Sequence, residues 1–541
     1  MRGGVEARPT LHQDDRRRQP AAEVDTLPEV RQSMWRERRA TADAASAHST
    51  GRPEDDRASD RIVHYAILLA ILIAATALRL VDLSTTPPGL FFDEGANGID
   101  ALSVLAGENK VFFPGNQGRE PFYIYAVALS FKLLGASPIS IRLVSVAIGM
   151  LTVAATYVLA RDLLGRRAAL LATAIIAGSF WHISLSRLGF RAVALPLFET
   201  LAAICVYRGI TRRSPAYWAG AGLFAGGALY TYLASRAAPF WLAICAGLAL
   251  LAAIRSRSAV RHILFGIALA TVVAAATVAP LAYYFLHHQD QFFGRIASTS
   301  VHGDKAKPSE NVALSTARTL GLFFVEGDSN PRHNLPGRPA FDPVVAVAFA
   351  CGVVMALRRV RSPASYIPLI WTGVMLAPGA LSTEAPHYLR TAGIMPAIFL
   401  FPAVALDRGT DWLGVRGFRL APAVAALVVI VGGAWATWDY FGRWAGRPDV
   451  YDAFQGDVRD AVRFAATWPV GTQVLVSGES YRQSNRLRPN PISLYAGSER
   501  IDRVFDGLRG IIIPADPALD RLYPPAGGAF PAVPWAARRD A

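Results

Sequence analysis

Two adjacent carboxylates, Asp93 and Glu94, stand in the segment Phe91-Phe92-Asp93-Glu94-Gly95-Ala96-Asn97, just past the first long apolar run, 62–80. An ionised, partly shielded carboxylate within reach of a hydroxyl or amine can take its proton, which is general-base chemistry. Where an apolar helix ends among aromatic rings, water, lipid headgroups and protein meet, so Asp93 could act on a substrate that a lipid presents. Glu94 could tune its neighbour by like-charge repulsion or hold a nearby cation. The competing role is structural. Carboxylates favour helix N-termini, and a helix beginning near Gly95 would be capped by this pair.

Cations fall in the segments that follow the same logic. Arg119 opens Arg119-Glu120-Pro121, Arg187 and Arg191 bracket Leu188-Gly189-Phe190, His333 and Arg338 lie in Arg332-His333-Asn334-Leu335-Pro336-Gly337-Arg338, and His387 and Arg390 bracket Tyr388-Leu389. A guanidinium is planar and forks onto two oxygens, which suits a phosphate. It also neutralises the charge that develops on a leaving phosphate. A single Arg near a helix end is ordinarily explained by snorkelling to headgroups. Several on one face are less easily explained so, and Arg119 and Arg390 are the preferred phosphate-binding candidates. The stretch 332–342 reads either as a lid over substrate or as an ordered turn.

No metal site is expected. His287 and His288 are adjacent, His302, His333 and His387 are scattered, and no H-x-x-x-H or D-x-D occurs in the outer loops. Asp93 and Glu94 could receive a divalent ion, but no cofactor is required. Cys205, Cys245 and Cys351 fall in apolar runs and form neither a disulfide framework nor a zinc spacing.

The elements that must position these groups are membrane helices. The chain has 541 residues, 52% hydrophobic and 18% charged, and its apolar residues recur in runs near the roughly 20 residues a bilayer crossing needs. Eleven runs read as spans: 62–80, 139–160, 168–186, 192–208, 216–234, 237–254, 262–286, 343–358, 364–381, 391–406 and 420–439. Basic clusters at Arg161/Arg166/Arg167, Arg208/Arg212/Arg213, Arg255/Arg257/Arg261, Arg358/Arg359/Arg361 and Arg408/Arg416/Arg419 separate them. With eleven spans and a cytoplasmic N-terminus, every cluster lies inside, as positive-inside bias requires. Counting 121–135 as a crossing would put them all outside, so it reads as an interfacial or re-entrant helix. The net charge of +14 is then a topology signal, not a nucleic-acid footprint.

This places loops 81–138 and 287–342, with the turns 187–191 and 382–390, on one extracytoplasmic face. Long loops in compact chains are commonly functional. Three regions follow: 1–61, polar and disordered in the cytoplasm; 62–439, the transmembrane part; and 440–541, extracytoplasmic. In the last, 452–468 has helical spacing, and 474–476 and 511–513 read as short strands, a small α/β domain. Glu199, the one acid well inside a span, is expected to pair within the bundle.

These residues resemble a family. Leu90-Phe91-Phe92-Asp93-Glu94-Gly95 is similar to the first-loop motif of the GT-C membrane glycosyltransferases, the branches holding protein O-mannosyltransferases and aminoarabinose lipid A transferases. Arg119-Glu120-Pro121-Phe122-Tyr123 resembles their His/Lys-Pro-Pro-Leu-Tyr element. Ser140-Ile141-Arg142-Leu143-Val144-Ser145 resembles the Arg-Leu-Pro-Ser entrance to the second span, and Arg161-Asp162-Leu163-Leu164-Gly165-Arg166-Arg167 the third. The similarity runs over roughly 62–400 and departs at Glu120, where the family has Pro, and at Leu195, where many relatives carry Asp.

The resemblance implies an all-α GT-C fold and a multi-pass plasma-membrane enzyme. It implies a polyprenyl-phosphate-linked sugar as donor and an inverting transfer to an extracytoplasmic acceptor, with Asp93 as base and no metal. It assigns Arg119, with Glu120 and Tyr123 of the same motif, to donor binding, and more loosely His387 and Arg390. The sugar and the acceptor stay open. The alternative is a transporter or flippase of lipid-linked glycans, which would show several charged residues at mid-span and discontinuous helices. Topology tags or protease mapping are expected to find residue 93 outside the cell; a cytosolic position would contradict this whole reading.

Overall fold

The computed structural model describes residues 54–300, 311–467, 474–477, 494, 501–505 and 522–523. The chain divides into two units at Ile67/Leu68, inside the first helix, α1 (Glu54–Leu80). Residues 54–61, expected in the disordered N-terminal segment, are thus helical. Hydropathy marks where a helix leaves the membrane, and polar residues can prolong it into water. Residues 1–53 lie outside the described part.

Among the described residues, seven helices are long and apolar enough to cross a bilayer, or eight when the bent pair α5 (Arg166–Gly178) and α6 (Phe180–Arg187), turned by 59°, counts as one. The sequence reading of eleven is not met, for local reasons. The run 216–234 ends as a helix at Ala228 (α8, Pro215–Ala228), where Tyr230 and Thr231 turn back onto the carbonyls of Gly227 and Ala228. The run 364–381 forms α14 (Pro363–Ala380) but contains Pro368 and Pro378. The run 343–358 gives the 16-residue α13 (Pro343–Arg358). A count of apolar letters averages transfer free energy and does not register where a helix ends. The segment read as interfacial is α3 (Phe122–Leu134), 13 residues, about 20 Å long against a hydrocarbon core of about 30 Å.

The helices differ in how far they are buried. In α4 (Pro138–Leu164) 67% of the apolar window is buried, and in the stretches 191–212 and 392–415 72%. In the long α10 (Arg257–His287) only 11% is buried. The stretch 191–212 contains α7 (Ala194–Arg212) and 392–415 contains α15 (Met395–Val415). Where helices touch, small residues let backbones close in. A Cβ at Gly352 of α13 would collide with the carbonyl oxygen of Phe401 in α15, and one at Gly222 of α8 with that of Ala270 in α10. Glu199 in α7 accepts from the Trp241 indole at 2.6 Å, a partner of a different type from the Arg or Tyr expected.

A second apolar cluster underlies the loops. It joins Phe180, Ile183, Leu188 and Phe190 to Leu335, Tyr440, Trp444, Val450 and Phe454. Trp444 donates to the carbonyl of Pro331 at 2.7 Å. Residues 440–454, read from sequence as the start of a separate domain, therefore pack on the same cluster as α6. The α/β domain expected beyond them lies mostly outside the described residues. Within them are a helix Gly456–Ala466, and strands Val474–Ser477, Ile501–Phe505 and Leu522–Tyr523, paired in parallel with the first in the middle. The strand expected at 511–513 lies outside the described residues.

Candidate active site

The site begins with how the first outer loop is held. Helix α2 (Phe92–Leu105) starts after Phe91, whose N–H donates to Glu94 Oε2 at 2.9 Å, the carboxylate half of a capping box. Glu94 is fully buried. Its Oε1 also accepts the Gly189 N–H at 2.7 Å and lies 3.3 Å from Arg142 Nε. Arg142, itself buried, donates to the carbonyls of Leu83 at 3.1 Å and Pro87 at 3.0 Å, and to that of Gly89. One guanidinium from α4 thus gathers the loop, and one carboxylate ties the start of α2 to the 187–191 turn.

Asp93 points elsewhere. A helix advances about 100° per residue, so neighbours diverge while residues four apart share a face. Asp93 and Asn97 both line a cavity of ≈ 670 Å³, and Glu94 does not. Asn116 donates to Asp93 Oδ1 at 2.5 Å. Among the described residues its Oδ2 takes no protein hydrogen bond, which leaves a fixed carboxylate with one open oxygen.

The remaining wall is basic. Arg191 faces the cavity and is held by Glu120 at 2.6 Å. Arg332 lies over the Phe91 ring, 4.8 Å from its centroid, with Nε 3.0 Å from Asn330 Oδ1. Arg236 donates to the Phe292 carbonyl at 2.7 Å and sits 4.0 Å over that ring. Arg390 donates through Nη2 to Glu384 at 3.3 Å, while its Nη1 is buried with no hydrogen-bond acceptor among the described residues. His333 and His387 complete this side, their ring centroids 4.8 Å apart. An apolar flank is made by Leu233, Phe240, Val374, Pro378 and Leu381.

Asp328 sits behind the histidines, 2.9 Å from His333 Nδ1 and accepting the Tyr388 N–H at 2.9 Å. Burial works against its ionisation, but the charge and hydrogen bond of His333, aided by His387 and Tyr388, hold its carboxyl down at about 2. His387 is pushed well below the ordinary imidazole range by burial first, then by the charges of His333 and Arg390. It is a neutral ring at physiological pH.

Of the residues singled out from sequence, Asp93, Arg191, His333, His387 and Arg390 meet at the cavity. The others do not line it. Glu94 is the buried latch just described. Arg119 is buried in an ion pair with Asp100 and donates to Asn97 Oδ1 at 3.3 Å, so it braces α2 from behind. Burial raises the Asp100 carboxyl above its ordinary range despite that guanidinium. Glu120 supports Arg191. The Tyr123 hydroxyl bonds Ser145 Oγ at 2.7 Å and the Ile141 carbonyl at 2.9 Å. Arg187 is packed on Tyr440 and Phe441 and donates to the carbonyls of Leu78 and Thr86. Arg338 pairs with Asp439 at 2.7 Å. Each of these is engaged by a protein partner, which a substrate would have to displace.

Sequence reasoning passed over Asn97, Asn116, Arg236, Arg332, Asp328 and Glu384. Asn97 could have been found, since it stands four residues after Asp93. Arg332 neighbours His333 and was read only as part of its loop. The expectation that the histidines are scattered holds along the chain but not in space, because the loops carrying His333 and His387 fold against each other.

Comparison with known proteins fits this geometry. Residues 118–284 match the family described as dolichyl-phosphate-mannose-protein mannosyltransferase. No curated protein matches the chain. Among solved structures, the fold is similar to ArnT from Cupriavidus metallidurans bound to undecaprenyl phosphate. The identity is 15%, covering 83% of this chain and 90% of that one, with a TM-score of 0.52. It is also similar to an oligosaccharyltransferase from Archaeoglobus fulgidus tethered with an acceptor peptide. There the identity is 14%, covering 77% of this chain and 62% of that one, with a TM-score of 0.50. The structural likeness carries the fold alone, and the family match covers residues 118–284. Residues 118–284 are thus similar to a mannosyltransferase family, as the first-loop motifs implied, and several helices of the chain are long and apolar enough to cross a membrane.

The latch makes a direct prediction. Replacing Arg142 by Ala leaves the buried Glu94 carboxylate without its cation, a change that costs about 3–5 kcal/mol in comparable buried pairs. Thermal unfolding of the detergent-solubilised chain should show a clear loss of stability. An unchanged melting temperature would mean that the pair does not hold the loop.

Proposed function

We propose that the chain moves a sugar from a polyprenyl-phosphate carrier to an acceptor outside the plasma membrane, with inversion at the anomeric carbon. The acceptor hydroxyl or amine attacks that carbon and gives its proton to Asp93. The bond from the anomeric carbon to the phosphate oxygen breaks, and the electron pair leaves with the lipid phosphate. Among the cavity's cations, Arg390, Arg191, Arg332 and Arg236 neutralise the departing charge. The apolar flank around Phe240, Pro378 and Leu381 suits the isoprenoid next to its headgroup. The N-terminus is cytoplasmic and the cavity extracytoplasmic. No step of this transfer needs a metal.

One observation carries the reading: the buried Arg390 Nη1, without an acceptor, on the wall of the same cavity that receives the Asp93 carboxylate. A buried donor left unsatisfied is costly, and an anion entering the cavity would satisfy it. The relatives support the donor class, since the Cupriavidus ArnT was crystallised with undecaprenyl phosphate.

The test is a strain lacking the protein. Lipid-linked sugar should accumulate and a surface glycan should be lost, both restored by the wild-type chain. Asp93→Asn should be made in normal amounts and lower transfer by roughly 100- to 10,000-fold, the range for removal of a general base. Normal turnover by that variant would refute the assignment.

A further inference from the structure

The trio Asp328, His333 and His387 invites a second question, because the transfer does not use it as a unit. All three are buried, with 3%, 5% and 6% of their surfaces exposed. Each offers one ligand atom, and these atoms lie within 4.8 Å of one another. His333 Nδ1 is 2.9 Å and His387 Nδ1 4.0 Å from Asp328 Oδ2. Ligand atoms around a tetrahedral zinc, with bonds near 2.0–2.1 Å, stand roughly 3.3 Å apart, and the two measured separations bracket that value.

An ordinary hydrogen-bonded His–Asp pair accounts for His333 but not for His387. The Nδ1 of His387 is buried and, among the described residues, has no hydrogen-bond partner. Its other nitrogen, Nε2, faces Glu384 Oε2 at 3.6 Å. A carboxylate beside Nε2 favours the proton there, which leaves the Nδ1 lone pair turned toward a carboxylate oxygen. In that tautomer, a cation between the two lone pairs would satisfy both. The outer carboxylate, imidazole and inner ligand also reproduce the arrangement by which metal-bound histidines are oriented.

We propose that Asp328, His333 and His387 form a binding site for one divalent metal ion. Two imidazoles and one carboxylate select Zn²⁺ or a similar borderline ion, whereas Mg²⁺ and Ca²⁺ prefer all-oxygen sites. Three protein ligands leave a fourth position open. The site lies on the cavity wall, because His333 and His387 both line the cavity. On binding, the metal replaces the proton between His333 Nδ1 and Asp328 Oδ2, and that proton passes to solvent. The cations Arg332 and Arg390 flank the trio; Asp328 and Glu384 supply the opposing charge.

The scaffold is built to hold the ligands without the metal. Asp328 Oδ1 accepts the Asn330 N–H at 2.8 Å, and its Oδ2 the Tyr388 N–H at 2.9 Å. Asn334 Nδ2 bridges the carbonyls of Asp328 at 2.9 Å and Arg338 at 2.7 Å. A metal would therefore pin the 328–338 loop to the 384–390 turn. This site is separate from Asp93 and does not depend on the identity of the sugar donor.

The test uses the full chain, expressed without a histidine tag, stripped with EDTA and titrated with Zn²⁺ alone. Metal content is read by mass spectrometry, and ligand type by the visible absorption of the Co²⁺-substituted chain. One tightly held ion per chain and a nitrogen-rich four-coordinate Co²⁺ spectrum are expected. Both should vanish in His387→Ala and persist in the control His287→Ala. Glu384→Gln should weaken Zn²⁺ binding by about tenfold. A chain that stays metal-free at saturating Zn²⁺, or binding that survives His387→Ala, overturns the proposal. If His387→Ala does not fold, the Co²⁺ spectrum of the unaltered chain decides alone, and the absence of a four-coordinate band sinks the site.

Discussion

The cavity face of this protein is organised by a buried ion pair, Arg142 with Glu94. Neither group reaches the cavity, yet both decide what does. Arg142 draws in three carbonyls of the loop after the first helix, and Glu94 closes the N-terminus of the helix that carries Asp93. Because Glu94 also binds the Gly189 N–H, the same contact sets the turn that delivers Arg191. A buried charge must be paired and hydrogen-bonded or it unfolds its surroundings. That demand makes the geometry around Asp93 rigid before any substrate arrives, and preorganisation of this kind is where catalytic sites find most of their transition-state stabilisation.

The cavity divides its tasks by wall. One side holds Asp93 and Asn97 at the start of a short helix. The facing loops bring guanidinium and imidazole groups, and the flank toward the bundle is apolar. Most of the cations are held by protein groups as well, Arg191 by Glu120, Arg236 by a carbonyl and a ring, Arg332 by Asn330. Such second contacts fix each fork in place. Arg390 differs in keeping one buried donor without a protein acceptor.

The sequence made part of this legible. Asp93 stood out through its position after an apolar run, and the helix-capping role weighed for the pair belongs to Glu94 alone. The cations at 191, 333, 387 and 390 stand out because they sit at helix ends in loops that the expected charge bias puts together. What could not be read was which Arg would be consumed by a buried acid. Arg119, Arg187 and Arg338 look like Arg390 in a string of letters, but Asp100, the carbonyls of Leu78 and Thr86, and Asp439 occupy them in space. The count of eleven spans is not confirmed, since an apolar run does not fix where its helix ends, as at Ala228. The meeting of Asp328, His333 and His387 is a tertiary fact with no spacing signal at all.

The central claim is that this cavity grips a lipid phosphate through a guanidinium left open for it. Native mass spectrometry of the full chain with undecaprenyl phosphate and with the neutral alcohol undecaprenol tests it most directly. The account predicts retention of the phosphate and not the alcohol, and about tenfold or weaker phosphate binding in Arg390→Ala, the scale of one charge-assisted hydrogen bond. Equal retention of both lipids, or undiminished phosphate binding by Arg390→Ala, would contradict it.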